Sequence, residues 1–183
     1  NGLPGIFGSS VNETLELKRL ILKIAKWTEK YDLANFEVNI PVEVYDFLNN
    51  IKNIVNKSLN GEISDFEFWD LCSLEREMYR ERIRMGIDGR EIKVRIADLR
   101  EFFDLALKKL EIAIEKAFDQ EKKIYHTYFY YELVDYNVET ENGKEVIKPK
   151  KFLRKALPAF LEAQVHYLKI EKNTNLFEAV KNS

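Results

Sequence analysis

The stretch ADLREFFDLALKKLEIAIEKAFDQE, residues 97–121, decides the fold of this chain. Its apolar residues recur at steps of three and four, which is the spacing of one face of an α-helix. Additional apolar residues widen that face, and so wide a face predicts a helix contacted on more than one side. We therefore expect a long central helix over residues 97–121. Its inward face comprises Leu99, Phe102, Phe103, Ala106, Leu110, Ala113, Ile114 and Ala117.

Three further helices are predicted upstream of this central one. Residues 10–13 and 64–67 each match a capping box, in which a hydroxyl caps a backbone N–H and a glutamate reaches back. They predict helices over residues 13–31 and 65–84. Pro41 fits the first position of a helix that lies between them. The helix that begins near residue 65 carries an apolar stripe of Trp69, Cys72, Tyr79 and Ile83, which places Cys72 in the predicted core.

Strands are predicted around and after the helices. Residues 36–40 form a short extended piece, and residues 91–96 alternate like a strand that could pair across the turn at Asp88-Gly89. The run IYHTYFYYELVDYNVE, residues 124–139, is dense in aromatic and β-branched residues, which favour a pleated surface. With the turn ENG and the return strand KEVIK it predicts a long β-hairpin that Pro149 ends.

The fold class that these patterns predict is mainly α. About four long helices form a bundle around residues 97–121, followed by the β-hairpin and a short closing helix over residues 158–169. The tail, residues 173–183, could add one more helical turn. We expect a single domain over residues 1–183, in which residues 1–121 form the bundle and residues 122–183 the hairpin and closing helix.

Composition limits the classes of function. The 183 residues include 29 basic and 31 acidic ones, which leaves a net charge of −2 and no sequence-wide reason to bind nucleic acid or a membrane surface. The one cysteine, Cys72, excludes an internal disulfide framework. No segment has the length of a transmembrane helix or the pattern of a signal peptide. We therefore expect a cytoplasmic location, with neither nucleic acid nor membrane as a partner.

The opening loop is the first candidate ligand site. Gly8, Ser9 and Ser10 lead into a helix, and backbone amides at a helix start can bind a phosphate. The alternative is that the loop binds no ligand and only connects the chain and caps the helix. We favour this alternative because no strand precedes the loop and no lysine follows its glycines. The first residue is Asn rather than Met, so we also expect the chain to be a fragment of a longer polypeptide.

The tyrosine-rich strand is the second candidate site. Strict alternation puts Tyr128, Tyr130, Glu132 and Tyr136 on one face and Asp135 on the other. Aromatic rings with a carboxylate could stack on a sugar and bind its hydroxyl groups. The alternative, which we favour, is packing of the hairpin with buried rings and exposed hydroxyls. On opposite faces, Glu132 and Asp135 would not form the acid and base of a glycosidase.

No catalytic, metal or cofactor site can be assembled from the sequence. His126 and His166 have no second histidine nearby, and a metal site needs several converging ligands. Cys72 lies on an apolar stripe, whereas a nucleophilic cysteine needs an electropositive and accessible setting. A basic run could bind an acidic surface, although such runs usually protect a strand edge from unwanted pairing. The run comprises Lys148, Lys150, Lys151, Arg154 and Lys155.

Several stretches together resemble a known group of proteins. They are NGLPGIFGSSVNETLEL (1–17), FWDLCSLEREMYRERIRMGIDG (68–89), YFYYELVDYNV (128–138) and IKPKKFLRKALPAFLEAQVHYLKI (147–170). In this order they resemble the C-terminal end of large bacterial cellobiose phosphorylase-like proteins or related carbohydrate-active enzymes. The resemblance implies that catalytic residues belong to a helical part upstream. None of them maps onto a residue of this chain.

The resemblance leads to three hypotheses of function. The first is a non-catalytic C-terminal domain that packs against, or completes, the catalytic domain of a larger carbohydrate-active protein, with carbohydrate as a further candidate ligand. The second is a free-standing helical module that binds a protein partner through exposed aromatic residues. The third is a small enzyme, which the lack of an acid–base, nucleophile or metal constellation in the sequence disfavours.

Overall fold

The computed structural model describes residues 9–158 and 160–170, and over these residues the chain is mainly helical. The prediction of a mainly α fold is confirmed. None of the described helices combines the length and apolar composition that crossing a membrane requires. The helices are α1 (Asn12–Lys30), α2 (Val42–Leu59), α3 (Asp65–Arg82), α4 (Ile96–Glu115) and α5 (Leu161–Ile170). The strands are β1 (Ser9–Ser10), β2 (Glu37–Pro41), β3 (Glu91–Arg95), β4 (Phe118–Asp119), β5 (Ile124–Tyr125), β6 (Tyr128–Glu141) and β7 (Lys144–Ala156).

The chain divides into two compact units. One unit, here called the hairpin unit, comprises Asn1–Arg19 and Ala113–Ser183. The other, the helical unit, comprises Leu20–Ile112. Each unit contains an antiparallel sheet, with the order β1-β6-β7 in the hairpin unit and β2-β3 in the helical unit, while β4 and β5 form a further pair in the hairpin unit.

The hairpin unit has a small apolar core. Leu15 of α1 and Ala163 of α5 are fully buried, and they pack in one cluster with residues from the end of α4 and from β5 and β6. Burial of such side chains is the main favourable term in folding. The cluster comprises Val11, Leu15, Ile114, Ala117, Ile124, Tyr125, Phe129 and Ala163.

The helical unit buries fewer side chains. Ile54 and Val55 of α2 and Val94 of β3 are buried. No described side chain of α3 is buried, although the capping box of Ser64 and Glu67 that predicts this helix is present. Cys72 is only half-buried, so its predicted place in a closed core is wrong. Trp69 of the same stripe is 61% exposed, because α3 turns its apolar residues towards an open groove and solvent.

The helix predicted over residues 97–121 exists but ends earlier than predicted. α4 stops at Glu115 rather than at residue 121. The carboxylate of Asp119 accepts the backbone N–H groups of Glu121 and Lys122, both at 3.0 Å, and this turn competes with continued helix. β4 and β5 then pair across the turn.

The strand over residues 91–96 has a different partner from the one predicted. β3 pairs antiparallel with β2, so that Val38 lies opposite Val94 and Ile40 opposite Ile92. It does not pair locally across Asp88-Gly89. The Asp88 backbone N–H instead donates to the carboxylate of Glu43 at 2.9 Å, which fixes this loop to the start of α2.

The hairpin is longer than predicted. β7 continues through Pro149 to Ala156, so the expectation that Pro149 ends the strand is wrong. Pro149 is tolerated because β7 is an edge strand and the pairing with β6 is irregular between Leu133 and Tyr136. At the turn, Asn142 and Gly143 both have positive φ, of 53° and 75°, as a two-residue hairpin turn requires, and both lie within the predicted turn ENG.

The closing helix α5 begins at Leu161, three residues after the predicted start at Pro158. The hydroxyl of Thr127 accepts the N–H of Ala163 at 3.4 Å and donates to the Phe160 carbonyl at 2.8 Å, so a residue from outside the helix caps its first turn. The tail predicted to add a helical turn, residues 173–183, lies outside the described residues.

Candidate functional site

Two sets of residues that the sequence singles out meet on one sheet of the hairpin unit. β1 pairs with the start of β6, so Ser10 lies opposite Tyr128 and Ser9 opposite Phe129. The Ser10 hydroxyl accepts the N–H of Asn12 at 3.1 Å, rather than that of Glu13 as the predicted capping box requires. Gly8, the third predicted residue of the loop site, lies outside the described residues.

Tyr128 has a packing role in this sheet. Its side chain is 5% exposed, and its hydroxyl donates to the Glu162 carboxylate at 2.5 Å. Its ring lies 6.0 Å from that of Phe160, measured between centroids. These contacts attach α5 to β6. They leave little of the Tyr128 ring accessible for stacking on a ligand.

Tyr130 and Glu132 are more accessible and share a basic neighbour. Lys155 of β7 is the cross-strand partner of Tyr130 and forms an ion pair with Glu132. The hydrogen bond to Glu132 raises the pKa of Lys155. Lys155 was assigned to the basic run by the sequence and not to this site, because only the register shows that it lies between Tyr130 and Glu132. We call Ser10, Tyr130, Glu132 and Lys155 the tyrosine patch.

The tyrosine patch offers hydrogen-bond donors and acceptors beside one aromatic ring. Such a set can bind hydroxyl groups of a polar ligand. Its carboxylate and ammonium groups are already paired with each other, and the patch lies on an open sheet rather than in an enclosed cavity. Catalysis benefits from exclusion of water, so this geometry fits binding better than reaction.

The two faces of the hairpin differ sharply in polarity. Successive residue pairs of an antiparallel ladder alternate between the two faces of the sheet. Val134 and Lys150 have no partner in the ladder, and each interrupts its regular register. Counting pairs along the ladder therefore places apolar side chains from both strands on one face. We call this set the apolar strip; it comprises Tyr131, Leu133, Tyr136, Val138, Ile147, Pro149 and Phe152.

This register corrects the predicted alternation of β6. Tyr136 lies on the face of Tyr131 and Leu133, not on that of Tyr130. Asp135 shares a face with Glu132, so the two carboxylates are not on opposite faces as predicted. The cause is the irregularity at Val134, which shifts the later residues of the strand by one position. Asp135 lies opposite Lys151, and Glu132 is paired with Lys155, so both carboxylates have basic neighbours.

The basic run lies on the free edge of the sheet. It belongs to β7, which pairs with β6 on one side only. Lys150, Lys151 and Arg154 are exposed, and Lys148 forms an ion pair with Glu141 at 2.6 Å. This placement agrees with the expected role of lysines that protect a strand edge.

The histidines have carboxylate partners but form no metal cluster. His166 Nδ1 lies 2.6 Å from Glu16, and His126 Nε2 lies 3.6 Å from Asp119. Hydrogen bonds from Arg19 and then from His166 lower the pKa of Glu16. Within the described ranges, His, Cys, Asp and Glu side chains nowhere gather in a group of three or more that could hold a metal ion.

An open apolar groove lies between α2 and α3 in the helical unit. Its volume is about 670 Å³, within the range of ligand and peptide pockets. Burial among these residues raises the pKa of the Cys72 thiol, which disfavours the nucleophilic thiolate. The sequence placed Trp69, Cys72 and Phe102 of this lining in the core and so missed the groove. The lining residues are Val44, Phe47, Leu48, Ile51, Phe68, Trp69, Cys72, Ser73, Arg76 and Phe102.

A smaller cavity of about 170 Å³ lies beside this groove and includes Glu43 in its wall. Glu43 is 3% exposed, and one of its carboxylate oxygens has no hydrogen-bond partner among the described residues. Asp46 pairs with Arg82 at 2.7 Å, and Glu75 accepts a hydrogen bond from the Asn50 amide at 2.9 Å. The sequence carried no signal for this buried carboxylate, because its burial depends on the loop at Asp88.

Comparison with known protein families finds no matching family model, and comparison with curated proteins finds none with detectable sequence similarity. The function of the chain must therefore be argued from its own geometry.

Proposed function

We propose that this chain is a non-catalytic helical domain at the C-terminal end of a larger bacterial carbohydrate-active protein, of the cellobiose phosphorylase-like or a related hydrolase-like type. In this proposal the domain packs against the catalytic domain of the same cytoplasmic polypeptide, or completes it. The observation that supports it most is the open groove between α2 and α3. Exposed apolar grooves are among the features that mark sites of protein interaction or ligand binding.

The exposure of the α3 side chains also supports this proposal. Helices in proteins gain most of their stability from tertiary packing of an apolar face. Phe66 and Trp69 are 70% and 61% exposed, and none of the described side chains of α3 is buried. Covering the groove with another protein surface would supply the packing that α3 lacks.

A free-standing interaction module is the alternative function. It uses the same groove, but a separate protein takes the place of the upstream domain. The exposed aromatic side chains at the groove favour this alternative as much as the first. The two proposals differ in the size of the native polypeptide.

We also propose that the four long helices form a bundle around α4. Polar contacts of α4 with each of the other helices support this arrangement. Arg100 pairs with Glu29 of α1, and Glu101 accepts from Lys52 of α2 at 2.8 Å. Lys109 lies 3.3 Å from Asp65 of α3. A single domain over residues 1–183, with the boundary between its two parts near residue 122, stays a prediction.

The test of docking uses Cys72, the one cysteine of the chain, as a reporter in the groove wall. We expect the native polypeptide to exceed the 21.7 kDa of this chain, and Cys72 to react with iodoacetamide several-fold more slowly within it than in residues 1–183 alone. Peptide mass mapping measures the reaction at Cys72. A native mass of 21.7 kDa supports the free-standing alternative instead.

Matched tryptophan variants locate the contact. Trp69→Arg introduces a charge into the groove wall and is expected to restore the alkylation of Cys72 in the longer polypeptide. Trp27→Arg changes the other tryptophan, which lies on α1 outside the groove lining, and should leave the protection of Cys72 unchanged. Equal alkylation rates in the short and long polypeptides contradict docking through the groove.

Carbohydrate is a further proposed ligand, at the tyrosine patch together with the predicted site residues Gly8, Ser9 and Tyr128. The accessible ring of Tyr130 beside Glu132 supports it. Calorimetric titration with cello-oligosaccharides and with phosphate tests it, and Tyr130→Ala should abolish the heat of sugar binding. Tyr136→Ala, on the opposite face of the hairpin, is the control. Absence of binding heat favours packing as the role of these tyrosines.

A further inference from the structure

The apolar strip of the hairpin is exposed along its whole length. Apart from Pro149, its six side chains are between 36% and 56% exposed. The opposite face is mostly charged, and many of its residues are exposed as well, while Val146 and Lys148 are half-buried. A two-stranded ribbon in water is marginally stable, so a surface that covers the strip would stabilise the hairpin.

The order of side chains on this face is symmetric about its middle. Between Arg154 and Glu145 this face of β7 carries Phe152, Pro149 and Ile147 in turn, and Ala156 lies beyond Arg154. An apolar residue thus lies two positions inward from each end, and the two ends carry opposite charges. β6 shows the same symmetry, with Leu133 and Val138 on either side of Tyr136.

We propose that the apolar strip is an interface between two copies of this chain. The copies pack face to face with their hairpins antiparallel. The two-fold axis runs between the two hairpins, perpendicular to the strands, at the level of Tyr136 and Pro149. Phe152 then packs against Ile147 of the second copy, and Leu133 against Val138 of the second copy. A two-fold interface uses the same patch on both partners, and the symmetric order of the strip satisfies this requirement.

Charge complementarity identifies a second copy in this orientation as the occupant. The antiparallel arrangement places Arg154 against Glu145 of the second copy at each end of the interface. A parallel arrangement would bring the two arginines together at one end and the two glutamates together at the other. Repulsion between these like charges would disfavour the parallel arrangement. Pairing of the hairpins edge to edge would leave the strip exposed on both copies.

The test is the oligomeric state of residues 1–183 by sedimentation velocity, with concentration varied over the micromolar range. We expect a reversible dimer of twice the 21.7 kDa chain mass. Glu145→Arg and Arg154→Glu should each weaken the dimer about tenfold or more, since each places like charges at both ends. The double variant E145R/R154E exchanges the charges and should restore dimerisation.

A control on the other face separates this interface from a general charge effect. Glu139→Arg makes the same substitution on the charged face of β6, and it should leave the dimer unchanged. Circular dichroism of every variant checks that the hairpin is retained. Because Glu145 is exposed next to the turn, its substitution disturbs no buried contact.

Three results would overturn the proposal. They are a monomer at every concentration, a dimer that is indifferent to both single charge reversals, and a double variant that remains as weak as the single ones. The proposal does not depend on the proposed docking function. The groove lies in the helical unit and is measured by alkylation of Cys72, whereas the strip lies in the hairpin unit and is measured by mass.

Discussion

Gln164 holds the backbone of Tyr125 with both ends of its side-chain amide. The Gln164 Oε1 atom accepts the Tyr125 N–H at 2.9 Å, and the Gln164 amide nitrogen donates to the Tyr125 carbonyl. Gln164 is 2% exposed, so no solvent competes for these bonds. β5 pairs with β4, and a helix residue takes the place of a second neighbouring strand for it, so that α5 becomes part of the hairpin unit.

We expect Gln164→Leu to destabilise the chain by about 2–4 kcal/mol, because it leaves a buried backbone N–H and a buried carbonyl without partners. The measurement is the free energy of unfolding from urea titrations monitored by circular dichroism. Gln120→Leu is the matched control, since Gln120 is exposed. A change at an exposed site of this kind usually stays within about 0.5 kcal/mol. Equal effects of the two variants would show that the amide contact contributes nothing specific.

The pH dependence of stability should report the contacts of Glu16. Arg19 and His166 lower the pKa of Glu16 in the folded chain. A lowered folded pKa contributes stability that is fully present above the ordinary carboxylate pKa and is lost as the pH falls through the folded value. The stability difference between the wild type and Glu16→Gln should therefore shrink as the solution is acidified from neutral pH to below the ordinary pKa of a carboxyl group.

The experiment for Glu16 is urea unfolding of both proteins between neutral and strongly acidic pH. Glu13→Gln, on the same helix, serves as the control variant. Because His166 faces the same carboxylate, the titration is repeated in His166→Asn, where the acid-dependent difference should be smaller. A stability difference between wild type and Glu16→Gln that stays constant with pH contradicts the assigned contacts.

Gly143→Ala should destabilise the hairpin turn. Gly143 has φ of 75°, and a side chain in this region costs about 1–2 kcal/mol even though no atom lies near the added Cβ. Asn142→Gly is the matched change at the neighbouring position, and it should be nearly neutral because glycine adopts the φ of 53° readily. Thermal unfolding of both variants checks the difference, and equal effects would show that turn conformation does not limit stability.

The helices and the hairpin could be predicted from the sequence because their signals are local. Apolar spacing located α1 to α3 and the start of α4 within a few residues, and the Ser64 and Glu67 capping box is present as predicted. The end of α4 was misplaced, since a carboxylate turn at Asp119 outweighs an apolar pattern that continues to Phe118. Local rules do not state which of two competing local structures is the more stable.

Features that depend on distant pairing could not be predicted. The partner of β3 is β2, which the sequence separates from it by two helices. Tyr136 was placed on the wrong face because a single unpaired residue, Val134, shifts the alternation, and no local signal marks it. The tyrosine patch was found only in part, since Lys155 joins Tyr130 and Glu132 through strand register.

Exposure, rather than apolar character, should decide which large side chains stabilise the chain. Leu15 is fully buried in the core of the hairpin unit, so Leu15→Ala should cost about 2–5 kcal/mol of unfolding free energy. Trp69 lies on the predicted apolar stripe of α3 but is 61% exposed, so Trp69→Ala should cost much less despite its greater size. Urea unfolding of residues 1–183 measures both. If Trp69→Ala is as damaging as Leu15→Ala, the groove is closed in solution, and the docking function proposed for it loses its main support.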